Sequence, residues 1–269
     1  MKRIIFGLLL LVSFNSFSQI PNYVPTNGLE GWWPFNGNAN DESGNGRHGT
    51  INGATLTADR YGTPNSAYYF TGNKNISANA DSLPIGNSPR TMSLWFNVAS
   101  VPNTIPAWVL MNYGKSMTNN ACGLGIELNK LVFFFWPGQN DLSIVKQYTL
   151  NQYHNLVSTY DGSVASLYLD GQLIGLKSHI ANTLTNKIYI GNNGTQQPFT
   201  GILDDLGIWN RVLTHEEIIK LYNGNVCYES VTDTLIINIT RTSYNPVKYS
   251  NTIKVYPNPT KNLITIDNY

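Results

Sequence analysis

Hydrophobic and polar positions alternate with a period of two along much of the chain. In Thr91–Ser100, Met92, Leu94, Phe96 and Val98 fall on one side, and Ser93, Trp95 and Asn97 on the other. Tyr153 to Tyr160 repeats the alternation and ends at the turn pair Asp161-Gly162. Val164 to Leu169 runs into Asp170-Gly171, the strongest short hairpin signal in the chain, and Gln172-Leu173-Ile174-Gly175 returns. Further strands are predicted at Ala67–Phe70, Ala107–Asn112, Gly123–Leu128, Leu131–Trp136, Lys187–Gly191 and Leu203–Trp209. Many short strands with frequent turns predict an all-β, two-sheet antiparallel jelly-roll sandwich, not βαβ units.

One segment breaks this period. Thr214-His215-Glu216-Glu217 has the spacing of a capping box, in which Thr214 caps the Glu217 amide and Glu217 reaches back. Ile218, Ile219, Leu221 and Tyr222 supply an apolar face, and Asn223-Gly224 a stop. A single short helix, packed on the sandwich, is predicted there.

Composition narrows the function. Of 269 residues only 12% are charged and the net charge is +1, so there is no electrostatic footprint for nucleic acid or an anionic membrane. Lys2 and Arg3 precede an apolar run from Ile4 to Val12 and a polar stretch to Gln19, the layout of a signal peptide over residues 1–18. The run is too short to span a bilayer, and no later segment reads as transmembrane. In an exported chain Cys122 and Cys227 either pair as a disulfide or sit as two separately buried thiols; their spacing does not decide.

Oxygen ligands crowd the turn that holds Asn36, Asn38, Asn40 and Asp41, the donor chemistry that calcium uses. Several strings around it share an order and a spacing. They are Trp33-Pro34-Phe35-Asn36-Gly37, Asp41-Glu42-Ser43-Gly44-Asn45-Gly46, Ala67-Tyr68-Tyr69-Phe70-Thr71-Gly72, Leu203-Asp204-Asp205-Leu206 and Asn210-Arg211-Val212-Leu213-Thr214. Together they resemble the laminin-G-like domains of the concanavalin A-like lectin/glucanase class. The resemblance covers about Gly28 to Asn223 and implies binding of an extracellular polysaccharide or glycoprotein. It also implies a structural calcium joining the first strand to the last, which brings in Asp204 beside Asn36, Asn38 and Asp41. Strand alternation puts Asp204 and Asp205 on opposite faces, so Asp204 alone is expected to point at the metal. Asn36 stands where relatives often carry Asp, which lowers the charge of such a site.

Sugar sites combine flat rings with amides and carboxylates. Trp136-Pro137-Gly138-Gln139-Asn140-Asp141 is the most site-like segment, and Trp136, Gln139, Asn140, Asn112 and Tyr113 are the expected ligand residues. Trp32, Trp33, Phe35 and Trp209 are expected in the core. Glycosidases of the same class cut with paired carboxylates in a Glu-x-Asp-x-x-Glu pattern. That pattern is absent, Glu127 is the only glutamate on a mid-sandwich strand, and no catalytic residues are assigned. The expected function is therefore a non-catalytic binding module. A protein–protein adhesion module and an endoglycanase with an unrecognised carboxylate pair are the rival readings.

After Cys227 the texture turns rich in Thr, Asn and Ser. The string Val255-Tyr256-Pro257-Asn258-Pro259-Thr260 resembles the opening of the C-terminal sorting domain used in type IX secretion, which implies that machinery as a partner and a surface or extracellular location. Only the opening of such a module is covered, so it is expected to be truncated. The resulting plan is a jelly-roll domain over residues 19–228, a linker over 229–252 and a partial sorting domain over 253–269.

Overall fold

The computed structural model describes residues 20–99, 108–115, 120–135, 141–145, 148–194 and 198–224, with the backbone of residues 254–257 and 264–267. The chain divides into two units, Met1–Val226 and Cys227–Tyr269. The first begins with β1 (Leu29–Trp33), β2 (Thr50–Asn52), β3 (Thr55–Thr57), β4 (Ala67–Phe70) and β5 (Asn75–Asn79). It continues with β6 (Arg90–Val98), β7 (Trp108–Gly114), β8 (Ala121–Glu127), β9 (Lys130–Phe134) and β10 (Leu142–Val145). It ends with β11 (Tyr153–Tyr160), β12 (Val164–Leu169), β13 (Gln172–Ser178), β14 (Lys187–Ile190), β15 (Gly201–Trp209) and the helix α1 (His215–Asn223). The second unit contains an antiparallel pair, β16 (Lys254–Pro257) and β17 (Ile264–Asp267).

Two antiparallel sheets form the sandwich. The eight-stranded sheet runs β13-β12-β11-β6-β15-β4-β3, with β1 also on β15; the seven-stranded sheet runs β10-β9-β8-β7-β14-β5-β2. β15 serves two partners on one side. Gly201–Leu203 pair with β4, and Leu206–Trp209 pair with β1. A register shift between Asp204 and Gly207 separates the two halves, and Asp205 takes φ 46°.

The period-two pattern is realised in the core. Met92, Leu94, Phe96 and Val98 of β6 face Leu110, Tyr113, Leu124, Phe133, Ile188 and Ile190 of the other sheet in one continuous cluster. Trp33 and Phe35 belong to that core, whereas Trp32 and Trp209 pack on the opposite side of the eight-stranded sheet with Val157, Leu213, Ile218 and Leu221. Helix α1 covers that side through Ile218 and Leu221. Its capping box forms as predicted: the Glu217 amide donates to Thr214 Oγ1 at 3.2 Å, and the Thr214 amide to Glu217 Oε2 at 2.8 Å. Asp170 (φ 50°) and Gly171 (φ 76°) make the tight β12–β13 turn, which explains the choice of residues.

Arg90 is fully buried. Its guanidinium donates to Thr183 Oγ1 (2.8 Å), Gly86 O (2.8 Å), Tyr113 Oη (3.1 Å) and Cys122 Sγ (3.6 Å). Cys122 is buried and has no disulfide partner among the described residues; Cys227 lies outside them. The short strands β2, β3, β5 and β10 escape the sequence pattern. β2 is exposed at every position, so its pairing with β5 leaves no hydrophobic alternation to read.

Candidate functional site

The opening-strand turn is held together by its own backbone. Asp41 Oδ1 accepts from the amides of Trp32 (3.0 Å) and Ser43 (2.9 Å), and Oδ2 from that of Arg47 (2.9 Å). The Asp41 amide donates to His48 Nδ1 at 3.2 Å. Arg47 in turn pairs with Glu30 at 3.1 Å and donates to Asp81 O at 2.8 Å. Asn36, Asn38 and Asn40 are exposed, and Asn38 Oδ1 accepts from the Asn40 amide in a local Asx turn.

The closing strand has different partners. Arg60 donates to Asp204 Oδ2 at 3.0 Å and to Asp205 Oδ2 at 2.8 Å. Tyr23 Oη donates to the same Asp205 oxygen at 3.2 Å. The expectation that strand alternation would separate the two aspartates is corrected here. The irregularity after Asp204 and the positive φ of Asp205 interrupt the period, so both carboxylates reach one guanidinium. Burial raises the pKa of each: that of Asp204 also through Asp205, with Arg60 opposing, and that of Asp205 against Arg60.

Do these residues fit the structural calcium that the resemblance implies? Among the described residues no hydrogen bond joins Asn36, Asn38 or Asp41 to Asp204. The Asp41 carboxylate is engaged by backbone amides and the Asp204 carboxylate by Arg60. Among the described residues no three His, Cys, Asp or Glu side chains converge on one point. The carboxylates of Asp41 and Asp204 are thus each held by partners within the chain and do not meet in an acidic cluster among the described residues.

The outer face of the seven-stranded sheet offers a different site. Val109, Val132 and Phe134 form a small apolar cluster separate from the main core. Register places Phe134 opposite Gly123, Gly123 opposite Asn112, Asn112 opposite Tyr189, and Tyr189 opposite Ser77, in one row across five strands. Gly123 is required by close approach: a Cβ there would lie 2.5 Å from Phe134 Cζ, and as close to Asn112 Cβ and Met111 O. Glycine therefore lets Phe134 lie down towards Asn112. Asn112 is 5% exposed, and its Oδ1 has no hydrogen-bond partner among the described residues. A buried amide oxygen without a donor is destabilising unless something donates to it.

Of the sequence-predicted ligand residues, Asn112 lies on this face. Tyr113, next along β7, points into the core at 0% exposure, donating to Pro84 O at 2.9 Å, and is not available to a ligand. Trp136, Gln139 and Asn140 lie outside the described residues. Phe134 and Tyr189 were not expected in the site; only the cross-strand register assembles them with Asn112. Glu127 sits at the end of β8 opposite Lys130. Asp141 accepts from the Phe135 amide at 3.0 Å, and burial raises its pKa against that hydrogen bond and Lys177.

A family model of the concanavalin A-like lectin/glucanases superfamily, of the third laminin G type, matches residues 70–219. That is more than half of the chain, and the chain belongs to this family. No curated protein matches it. Among solved structures, the receptor-binding domain of botulinum neurotoxin C/D mosaic serotype superimposes with TM-score 0.60 at 15% identity, over 76% of this chain and 52% of that one. The binding domain of Paraclostridial Mosquitocidal Protein 1 gives TM-score 0.58 at 18% identity, over 74% and 52%. Domain 4 of AbnA, a GH43 extracellular arabinanase from Geobacillus stearothermophilus in complex with arabinotriose, gives TM-score 0.54 at 20% identity, over 72% and 98%. The chain spans about half of the toxin domains and nearly all of the arabinanase domain. At these identities the likeness is one of fold.

Proposed function

We propose that this protein is a non-catalytic binding module, exported to the cell surface or medium, that recognises an extracellular carbohydrate or glycoprotein on the outer face of the seven-stranded sheet. The observation that carries the reading is the buried Asn112 oxygen, without a hydrogen-bond partner among the described residues, in one register row with Tyr189 on one side and, across Gly123, Phe134 on the other. Rings cover the C–H faces of a sugar, and an amide oxygen takes a hydroxyl proton. Trp136, Gln139 and Asn140, outside the described residues, are proposed as ligand residues on their side-chain chemistry alone. The fold is shared with an arabinanase domain described with arabinotriose and with toxin receptor-binding domains, which supports binding over catalysis. Export through the N-terminal signal and the type IX machinery belongs to the same proposal. Among the described residues no helix is long and apolar enough to cross a membrane.

The test is a glycan array and polysaccharide pull-down with the full chain, with calcium and with chelator. Binding of a defined glycan by wild type, weakened about tenfold or more by Asn112→Ala at unchanged melting temperature, supports the site. Equal binding by the variant removes this face from the reading. No glycan bound in either condition overturns the carbohydrate reading in favour of a protein partner.

A further inference from the structure

We propose that Arg60 is the resident cation of the closing strand: its guanidinium occupies the place beside Asp204 and Asp205 that a bound divalent ion would take, and it seals the loop around residues 58–62 onto the outer face of the eight-stranded sheet. This inference is independent of the carbohydrate site, which lies on the other sheet.

The first argument is charge. Two adjacent buried carboxylates repel each other and have lost their hydration, so they need a cation at hydrogen-bonding distance. Arg60 supplies one, with separate nitrogens on the two carboxylates at 3.0 and 2.8 Å. A forked, planar donor suits two acceptors side by side better than a point charge does. One negative charge remains in excess. Tyr23 Oη donates to Asp205 Oδ2 alongside Arg60, and the Asp205 amide donates to Asp204 Oδ1 at 2.8 Å, so both oxygens of Asp204 are engaged and Asp205 Oδ2 accepts twice. The other acid nearby, Asp59, turns back to accept from the amides of Tyr61 and Thr63.

The second argument is how the guanidinium is held. Its carbon lies 4.5 Å from the ring centres of both Trp95 and Tyr61. Trp95 is paired with Asp204 across β6 and β15, and it stacks on Tyr222 of α1 at 5.8 Å and 16°. Tyr153 Oη donates to Ala58 O at 2.8 Å, fixing the start of the loop. Arg60 is therefore fastened by rings and strands on several sides, as a metal would be by its ligands. The groups facing it are Asp204, Asp205, Tyr23, Tyr61, Trp95, Asp59 and Tyr153.

The experiment follows thermal unfolding of the full chain in calcium and in EDTA, for wild type, R60A, R60K, D204N/D205N and the triple variant. The wild-type melting temperature should be the same in both buffers. R60A should melt about 10 °C lower, the range expected when one partner of a buried ion pair is removed. D204N/D205N should recover part of that loss in the R60A background, because the uncompensated charges are gone. A wild-type fall on chelation that D204N/D205N abolishes would overturn the proposal, and so would an R60A loss that the double substitution leaves untouched. If R60A does not fold, R60K carries the same comparison: it keeps the charge but loses the fork and should melt below wild type, whereas an R60K that melts with wild type would overturn the proposal.

Discussion

Asp41 shows how one side chain organises a turn. It accepts from three backbone amides, those of Trp32, Ser43 and Arg47, and so binds β1 to the loop that follows it. Hydrogen bonds to a charged acceptor are worth more than neutral ones, and Asp41 is only 5% exposed. Asp41→Ala should therefore destabilise the domain by about 3 kcal/mol, read as a shift in a urea midpoint at unchanged slope. A shift below ~0.5 kcal/mol would show that water replaces the carboxylate. The sequence made Asp41 conspicuous as an oxygen ligand. What it did not reveal is that the donors are the chain's own amides rather than an ion, because amide directions are set by the turn and not by residue type.

At the scale of elements, α1 was the most legible feature. Its start, stop and buried face follow from Thr214, Glu217, Gly224, Ile218 and Leu221 alone. Its tertiary anchor is Arg211, which grips Glu217 with both terminal nitrogens at 2.6 and 2.8 Å. That hydrogen bonding, with the Thr214 amide, lowers the Glu217 carboxyl from 4.5 to about 2 against partial desolvation. A carboxyl lowered on folding adds stability above its unfolded value and loses it as the pH falls towards its folded one. The contribution should be complete above pH ~4.5 and disappear towards pH ~2. Glu217→Gln should lower stability at neutral pH by about 1 kcal/mol and flatten this part of the acid-unfolding curve. An acid limb identical to wild type would contradict the assignment. The exposed strands β2 and β3 mark the opposite limit: β2 is exposed at every position and β3 nearly so, which leaves no hydrophobic alternation in residue type to read.

At the scale of the whole molecule, the sandwich has edges as well as faces. β13 ends the eight-stranded sheet and carries Leu173 and Leu176, both exposed. Their side chains add little to the fold, so Leu176→Lys should change the melting free energy by less than ~0.5 kcal/mol. It should also reduce any concentration-dependent association, since a charge on an open edge discourages strand pairing. A large loss of stability would mean that this edge is covered in the folded protein. The two faces differ in kind. The eight-stranded sheet is closed by α1, Trp209 and the Arg60 loop, whereas on the seven-stranded sheet the buried Asn112 oxygen has no hydrogen-bond partner among the described residues.

The amino-acid sequence by itself determined the all-β sandwich, most central strands, the Asp170-Gly171 hairpin and the helix. These depend on local periodicity and turn chemistry, which act over a few residues. It also marked Asp204 and Asn112 as residues with chemistry to offer. Only the tertiary structure decided their partners. Asp204 meets Arg60, 144 residues away in the chain, because a shift in register turns both aspartates the same way. Asn112 faces outward and Tyr113 inward because β7 alternates between core and surface, and Phe134 reaches Asn112's row through Gly123. Register and irregularity are properties of paired strands, so no single stretch of sequence carries them.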